Sequence, residues 1–382
     1  MSQPQEPHRP FFPFGNPFKR ISSKGSQLSP RLLSLLNAFE FALTTRLRKL
    51  NPKDKHDVLS LAWMKLAMES LCETHTGIKT LITELDLPVT CWDEKWIDVY
   101  LDISVKLLDI CNALSSELLR LNQGHLLLQF ALHNLESNTS EKLVRARSSL
   151  DNWRQNIGSK NPRLESCKSI LEGLVDSLSL PKVKNSAKGK VLMQAMYGVK
   201  IQTVFVCSVA AAVFSGNLEN LLDLDVANTT MWAQAFSDLQ TNVNGGIREI
   251  FSHGKFPVLK ELDEVHTVVK NLYPMIQDGT RPIEVEAFSN SSSDLGRKAE
   301  KLSQGLDFLT NVVDGFFKIV LSGRDALLCD LRVPDTHADP FLGSNGERLL
   351  NELALWLELN RKFLHESAGQ SGNAFAEQRS FP

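Results

Sequence analysis

The most apolar stretch of the chain constrains its fold more than any other feature. Residues 201–214 read IQTVFVCSVAAAVF, and three small residues, Ala210–Ala212, suit close packing against another helix. A bilayer core needs about 20 apolar residues, so this run is too short to span one by itself. Extending it back to Val191 gives enough length but takes in Gln194 and Lys200. The stretch therefore predicts a buried core helix, with a membrane-inserted or interfacial helix as the alternative.

A cluster of lysines leads into this apolar run, and no Asp or Glu occurs from Ser177 to Leu218. Positive charge beside an apolar helix is attracted to an anionic membrane surface by ~1 kcal/mol per basic residue. The alternative is a solvated loop and first helical turn, which is typical of charge runs. The candidate membrane-surface contacts are Lys182, Lys184, Lys188, Lys190 and Lys200. The candidate apolar membrane segment comprises Ile201, Val204, Phe205, Val206, Val209, Val213 and Phe214.

Apolar residues recur at helical spacing through most of the chain. Ser29 and Pro30 have the residue types of a helix start, and the run that follows stops at Asn51. The most regular pattern begins near Asp93, with Glu117 as its one polar break; a continuation past Gly124 is left open. The spacing predicts helices at about 30–50, 54–86, 93–121, 140–157, 162–179, 186–215, 229–253, 256–272, 294–331 and 347–366. A short strand is predicted only at Ile283–Phe288.

The fold class that these patterns predict is all-α: an elongated bundle of long antiparallel helices. Residues 1–27 are rich in Pro, Phe and basic side chains, and we expect a disordered tail there. Residues 28–366 are expected to form a single elongated helical domain, with halves 28–180 and 181–366 as another division. Residues 367–382 are expected to form a disordered C-terminal tail.

Composition and motifs exclude several classes of function. A formal net charge of −2 argues against a dedicated nucleic-acid binder. The six cysteines lie far apart without a C-x-x-C pair, which favours a reducing compartment over a zinc site or a disulfide framework. His125 and His133 are expected to be ordinary core or surface histidines. No metal-ligating, nucleotide-binding or nucleophile motif is present, so we expect neither a cofactor nor an enzyme.

The beginning of the sequence does not resemble a secretory signal, because it lacks an apolar core region. A plastid transit peptide is the alternative, since residues 7–31 contain five basic residues and no acidic one. Five prolines among residues 4–17 count against it, because they prevent an amphipathic helix. We therefore expect a cytoplasmic protein, at the cytosolic face of the endoplasmic reticulum or the plasma membrane, with the plastid as the alternative.

Several long strings of this sequence resemble the plant BYPASS family over essentially the full length of the chain. They are Phe11–Lys19, Leu28–Glu40, Trp92–Asp109, Leu121–Gln129 and Val183–Val209. The resemblance implies a role in root and shoot development, in which members restrain production of a root-derived mobile signal, held to be carotenoid-derived, that arrests shoot growth. It also implies membership of a wider helical group similar to exocyst-associated proteins. The family supplies no catalytic residues that could be transferred.

Two functions follow as expectations. The first is a non-enzymatic helical adaptor at a membrane surface, with exocyst or other trafficking components as protein partners and with anionic lipid as a further partner. The second is a carrier or enzyme that acts on an apolar metabolite inside a pocket of the bundle. A cavity of several hundred Å³ with convergent polar groups would favour the second function, and a solid core would exclude it.

Overall fold

The computed structural model describes residues 28–86, 94–137, 139–176, 186–226, 228–252, 254, 259–276 and 285–332. The chain divides into two units, Met1–Asp330 and Leu331–Pro382, and the architecture given below is that of the first. Within the described ranges the regular structure is entirely helical, which confirms the predicted all-α bundle of long helices. The two predicted tails and the helix predicted at 347–366 lie outside the described residues, so the domain boundaries stay a prediction.

Ten α-helices form the described part of the chain. They are α1 (Pro30–Leu50), α2 (Leu61–Leu85), α3 (Glu94–Leu135), α4 (Ser140–Gly158), α5 (Pro162–Glu165), α6 (Cys167–Asp176), α7 (Ala187–Ser215), α8 (Ala233–Ser252), α9 (Lys260–Leu272) and α10 (Val285–Arg332). Short 3-10 turns lie at Lys55–Leu59, Leu218–Asn220 and Tyr273–Ile276.

The helix starts follow from local side-chain chemistry. The Ser29 hydroxyl accepts a hydrogen bond from the Leu32 amide, and Pro30 occupies the first position of α1, where an N–H would be unpaired. At the start of α2, the Glu261 carboxylate accepts from the Leu61 amide at 3.1 Å. That carboxylate comes from α9, so a tertiary contact caps the helix. Burial raises the pKa of Glu261.

Two details of the helices settle questions that the sequence left open. α3 continues without a break through Gly124, where a Cβ atom would lie 2.8 Å from Asn156 Oδ1 of α4. The glycine therefore lets α4 approach closely. The strand predicted at Ile283–Phe288 is wrong for its described part, because Val285–Phe288 form the first turn of α10. A short apolar run has no period that separates strand from helix, and burial of Phe288 suits either structure.

The helix α7 lies at the centre of the core. It packs against α1, α2, α3, α5, α6 and α8. Every residue from Gly198 to Val213 is buried, which is typical of a helix that is surrounded on all sides. Its polar side chains find partners inside the bundle: Gln202 Nε2 donates to Ser70 Oγ at 2.7 Å, and Gln194 Nε2 donates to Glu40 Oε1 at 2.8 Å.

Glu117, the polar break in the α3 pattern, is also buried and has polar partners. Its carboxylate accepts hydrogen bonds from Arg120 Nε at 2.9 Å and from Asn161 Nδ2 at 3.1 Å. Asn161 caps α5 through its own side-chain oxygen, which accepts from the Arg163 amide. A buried carboxylate is tolerated when it is paired and hydrogen-bonded. Glu117 therefore joins α3 to the start of α5.

Close packing around α7 makes a stability prediction at Gly198. A Cβ atom there would lie 2.6 Å from Leu43 Cδ2 and 3.2 Å from Trp232 Nε1, and both neighbours are fully buried. We expect Gly198→Ala to lower the free energy of unfolding by about 1 to 2 kcal/mol, because overpacking outweighs the gain in helix propensity. Denaturant unfolding of the two proteins measures the difference.

The matched control is Gly245→Ala on the exposed side of α8, where a Cβ atom would meet no other atom within 4 Å. This variant should be more stable than the wild type by about 0.5 to 1 kcal/mol, since alanine is the better helix former. If both substitutions stabilise the protein alike, then α7 is not packed as tightly as the structure has it.

Candidate functional site: a cavity beside α7

A cavity of about 400 Å³ lies beside α7, between α2, α3, α6 and α10. Its inner wall is made of buried apolar side chains from all five helices, among them Ile78, Leu107, Leu174, Val199 and Leu327. Pockets that hold small molecules in proteins are commonly 300 to 1,000 Å³, apolar and lined by a few placed polar groups. The cavity therefore has the size and the walls of a small-molecule site.

We place the opening of the cavity between α2 and α10, because the exposed residues of its lining lie on these two helices. The lining residues that are exposed there are Thr76, Lys79 and Thr83 on α2 and Ser322 and Ala326 on α10. Small and polar side chains at the rim leave the entrance open to water, while the buried aliphatic residues lie behind it. A ligand can enter between these two helices.

His75 and Thr203 form a polar pair in the wall. His75 Nε2 lies 3.0 Å from Thr203 Oγ1, and the Thr203 hydroxyl donates its single hydrogen to the carbonyl of Val199 at 2.7 Å. Because that hydrogen is committed, His75 Nε2 must be the donor of the pair, which leaves Nδ1 as the acceptor of the neutral ring. Burial lowers the pKa of His75 to about 4. The His75 ring also packs edge to face against Phe316, with the two ring centroids 5.0 Å apart.

Lys200 brings a positive group into the same wall. Its side chain lines the cavity and the residue is only 6% exposed. Burial lowers the pKa of this ammonium from 10.5 to about 8, since a low-dielectric environment disfavours the charged form. A lysine in this state is charged at neutral pH but close to its titration range.

Tyr100 and Ser104 of α3 complete the polar part of the lining. Arg324 of α10 donates to the Leu101 carbonyl at 2.8 Å and to Ser104 Oγ at 2.9 Å, which ties α10 to α3 at this end of the cavity. Burial raises the pKa of Tyr100, and the nearby Arg324 partly offsets the rise. A Cβ atom on Gly323 would lie 2.6 Å from the Tyr100 hydroxyl, so the glycine makes room for it.

The structure separates the lysines that the sequence grouped together. Lys182 and Lys184 lie outside the described residues. Lys188 donates to the Asp86 carbonyl at 2.9 Å, and Lys190 is exposed in the first turns of α7. Lys200 lies inside the protein, so in this conformation it faces the cavity and not a membrane surface. The contact of the other lysines with a membrane stays a prediction.

The apolar residues of the candidate membrane segment all lie within α7. Phe214 is half-buried, and the others are buried: Ile201, Val204, Phe205, Val206, Val209 and Val213. By length and composition α7 could cross a membrane, yet 89% of its most apolar 18-residue window is buried within the protein. In this conformation the segment contacts protein side chains.

Sequence reasoning missed His75, Tyr100, Ser104 and Thr203 as site residues. They lie on three helices that are distant in sequence, α2, α3 and α7, so no local motif joins them all. The one available signal was Lys200, a charged residue inside the most apolar helix of the chain. Among the residues that the structure describes, no three His, Cys, Asp or Glu side chains are grouped so that they could hold a metal ion.

Fold and cavity together define an all-α protein with a small-molecule-sized apolar cavity next to its central helix. The model of the family described as "Protein ROH1-like" matches residues 21–157. "Protein BPS1, chloroplastic" of Arabidopsis thaliana is 59% identical over 333 residues, which cover 87% of this chain and 93% of that protein. "UPF0496 protein 4" of rice is 38% identical in subspecies indica and 39% in subspecies japonica, over 88% of this chain and 98% of each relative.

The chain belongs to the BYPASS family, as the sequence strings predicted. No solved structure matches it.

Burial of His75 predicts a loss of stability in acid. Its folded-state pKa of about 4 lies below the ordinary 6.5, so the unfolded chain binds a proton more readily. The contribution of neutral His75 to the free energy of unfolding is complete above pH 6.5. It falls by up to about 3 kcal/mol as the pH drops toward 4. Comparing the wild type with His75→Gln by denaturant unfolding at several pH values isolates this residue from the other histidines. Parallel pH profiles for the two proteins would contradict the assignment.

Proposed function

We propose that this protein is a non-enzymatic developmental regulator that holds a small apolar molecule in the cavity beside α7. The single observation that supports this most is the cavity itself, with about 400 Å³ of space, apolar walls and an opening between α2 and α10. Burying the hydrocarbon part of a ligand is favourable by about 0.8 kcal/mol for each CH₂ group. Polar groups at a few fixed positions then orient the ligand.

The family resemblance gives this cavity a biological setting. Members of the family are held to restrain a root-derived mobile signal that is itself carotenoid-derived, and a protein that senses or carries an apolar metabolite fits that role. We favour a carrier over an enzyme because the lining polar groups are hydroxyls, lysines and one histidine whose Nε2 proton is bonded to Thr203. Such groups can hold an oxygen-bearing ligand through hydrogen bonds. An enzyme acting on the same metabolite is the alternative.

Decan-1-ol is a suitable uncharged probe of the cavity. We expect saturable one-to-one binding by isothermal titration calorimetry, with a negative heat-capacity change because apolar surface is buried. Ala326 lies at the rim, so Ala326→Trp should obstruct the cavity and weaken binding at least about tenfold.

The matched control places the same side chain elsewhere on α10. Asn311 is exposed and does not line the cavity, so Asn311→Trp should bind decan-1-ol like the wild type. Absence of binding by the wild type, or equal losses in both variants, would overturn the proposed function.

A second candidate function is that of an adaptor at a membrane surface. The first turn of α7 contains Lys188 and Lys190 and no acidic residue. Cations near a helix N-terminus are disfavoured by the helix dipole, so their presence there needs a reason outside helix stability. Together with Lys182 and Lys184 they form a basic segment that anionic lipid would attract. For this function the resemblance implies trafficking components, the exocyst included, as protein partners.

Vesicle sedimentation tests the adaptor function. The wild type should bind vesicles of mixed phosphatidylserine and phosphatidylcholine, and salt should release it. Replacing the four lysines by Glu should lower binding by at least about a hundredfold, since four attractive charges become repulsive. The substituted residues are Lys182, Lys184, Lys188 and Lys190.

A control with the same change in charge separates local contact from net charge. It replaces four lysines that are distant in sequence from this segment, namely Lys142, Lys160, Lys270 and Lys318. The control should keep most of the binding. Vesicle binding that is unchanged when the basic segment is reversed would exclude this adaptor.

We propose two alternative locations for the protein in the cell. A cytosolic protein at the face of the endoplasmic reticulum or the plasma membrane suits the adaptor function. The word "chloroplastic" in the name of the Arabidopsis relative supports the plastid form, as do the acid-free residues 7–31. The cavity suits both compartments, because an apolar ligand can be met in either.

A further inference from the structure

The polar groups of the cavity share one electrostatic character. Two lysines line it, Lys79 at the rim and Lys200 inside, while none of its described lining residues is Asp or Glu. Because the wall behind the rim is apolar and buried, charges there are weakly screened by water. The described wall therefore presents a positive potential to whatever occupies the cavity.

Lys200 is placed so that it can contact such an occupant. Met196 and Val204, four residues before and after it on α7, also line the cavity, so this face of the helix forms part of the wall. An ammonium group carries three hydrogens and can bond to a ligand and to the protein at the same time. A buried ammonium is stabilised by an anion at hydrogen-bond distance, since charge-assisted hydrogen bonds are the strong ones.

The three hydroxyls that line the cavity behind its rim, those of Tyr100, Ser104 and Thr203, divide into two acceptors and one donor. The Thr203 hydrogen is donated to Val199 and the Ser104 hydrogen to Leu101, so both oxygens can only accept further hydrogen bonds. Within the described residues the Tyr100 hydroxyl makes no hydrogen bond, so its hydrogen can be donated to a ligand. A positive group and a phenol donor suit a ligand oxygen that carries negative charge.

We propose that the cavity selects apolar molecules that end in a carboxylate, which Lys200 Nζ pairs with and the Tyr100 hydroxyl bonds to. The aliphatic walls from α2, α6, α7 and α10 enclose the hydrocarbon body. This inference rests on the proposed function, because it names the class of the ligand that the cavity holds. A phospholipid with two acyl chains is larger than a cavity of about 400 Å³, so a free monocarboxylic acid is the expected form.

Decanoic acid and decan-1-ol form a matched pair of probes that share one chain length. Calorimetry of the full chain at neutral pH should show that the acid binds at least about tenfold more tightly than the alcohol. In Lys200→Met, binding of the acid should weaken by about tenfold to a hundredfold, while binding of the alcohol stays within about threefold. Lys190→Met, on the same helix but outside the cavity, should leave both affinities unchanged.

Tyr100→Phe provides a second variant whose shape is retained. It should weaken binding of the acid by about threefold to tenfold and leave the alcohol unaffected, because one hydrogen bond to the carboxylate is lost. Circular dichroism checks that each variant is folded, and the Tyr100 variant keeps the inference testable if Lys200→Met does not fold.

The outcomes separate this inference from the function on which it rests. If the wild type binds decan-1-ol at least as tightly as it binds decanoic acid, the ligand class is wrong and the proposed function stands. If Lys200→Met weakens both probes alike, Lys200 only supports the fold and the inference fails. If neither probe binds the wild type, the inference and the proposed function both fail.

Discussion

Burial of α7 is the constraint on which the rest of the structure depends. This helix contains the most apolar stretch of the chain, and its residues from Gly198 to Val213 are all buried. An apolar helix of this kind must be covered by lipid or by other helices. Here α1, α2, α3, α5, α6 and α8 cover it, and each contributes buried apolar side chains. The arrangement of the bundle is therefore the arrangement of helices around α7.

The cavity is a consequence of the same packing. Where α2, α3, α6 and α10 meet α7, their side chains do not fill the space, and about 400 Å³ remains. Aliphatic side chains around such a space lose dispersion contacts with other protein atoms, which costs stability, so we explain the cavity by function. His75, Thr203 and Lys200 lie in this wall. Burial lowers the pKa of His75 and of Lys200, which favours the neutral form of each side chain.

The sequence predicted the helices well and the site poorly, for physical reasons. Periodicity and caps depend on neighbours in sequence, so the start of α1 at Ser29 and the first part of α3 were predictable, whereas the continuation of α3 past Gly124 was left open. The lysines were grouped by sequence distance, yet Lys200 lies on the part of α7 that is surrounded on all sides, whereas Lys188 and Lys190 lie at the start of the helix. The cavity joins residues from five helices, from His75 to Leu327, and such a contact has no local signature. Glu117 was visible as a break in α3, but only packing shows its partner Asn161.

Amide hydrogen exchange of the full chain, without lipid, tests the central claim most directly. Amides of core helices exchange at the slow rate set by global unfolding. An apolar helix that is stable only in lipid opens locally in water, so its amides exchange rapidly. The account predicts that the amides from Val191 to Val213 are among the slowest of the protein, and that adding anionic vesicles leaves their rates unchanged. Rapid exchange of these amides in water, with protection gained only on vesicles, would contradict it.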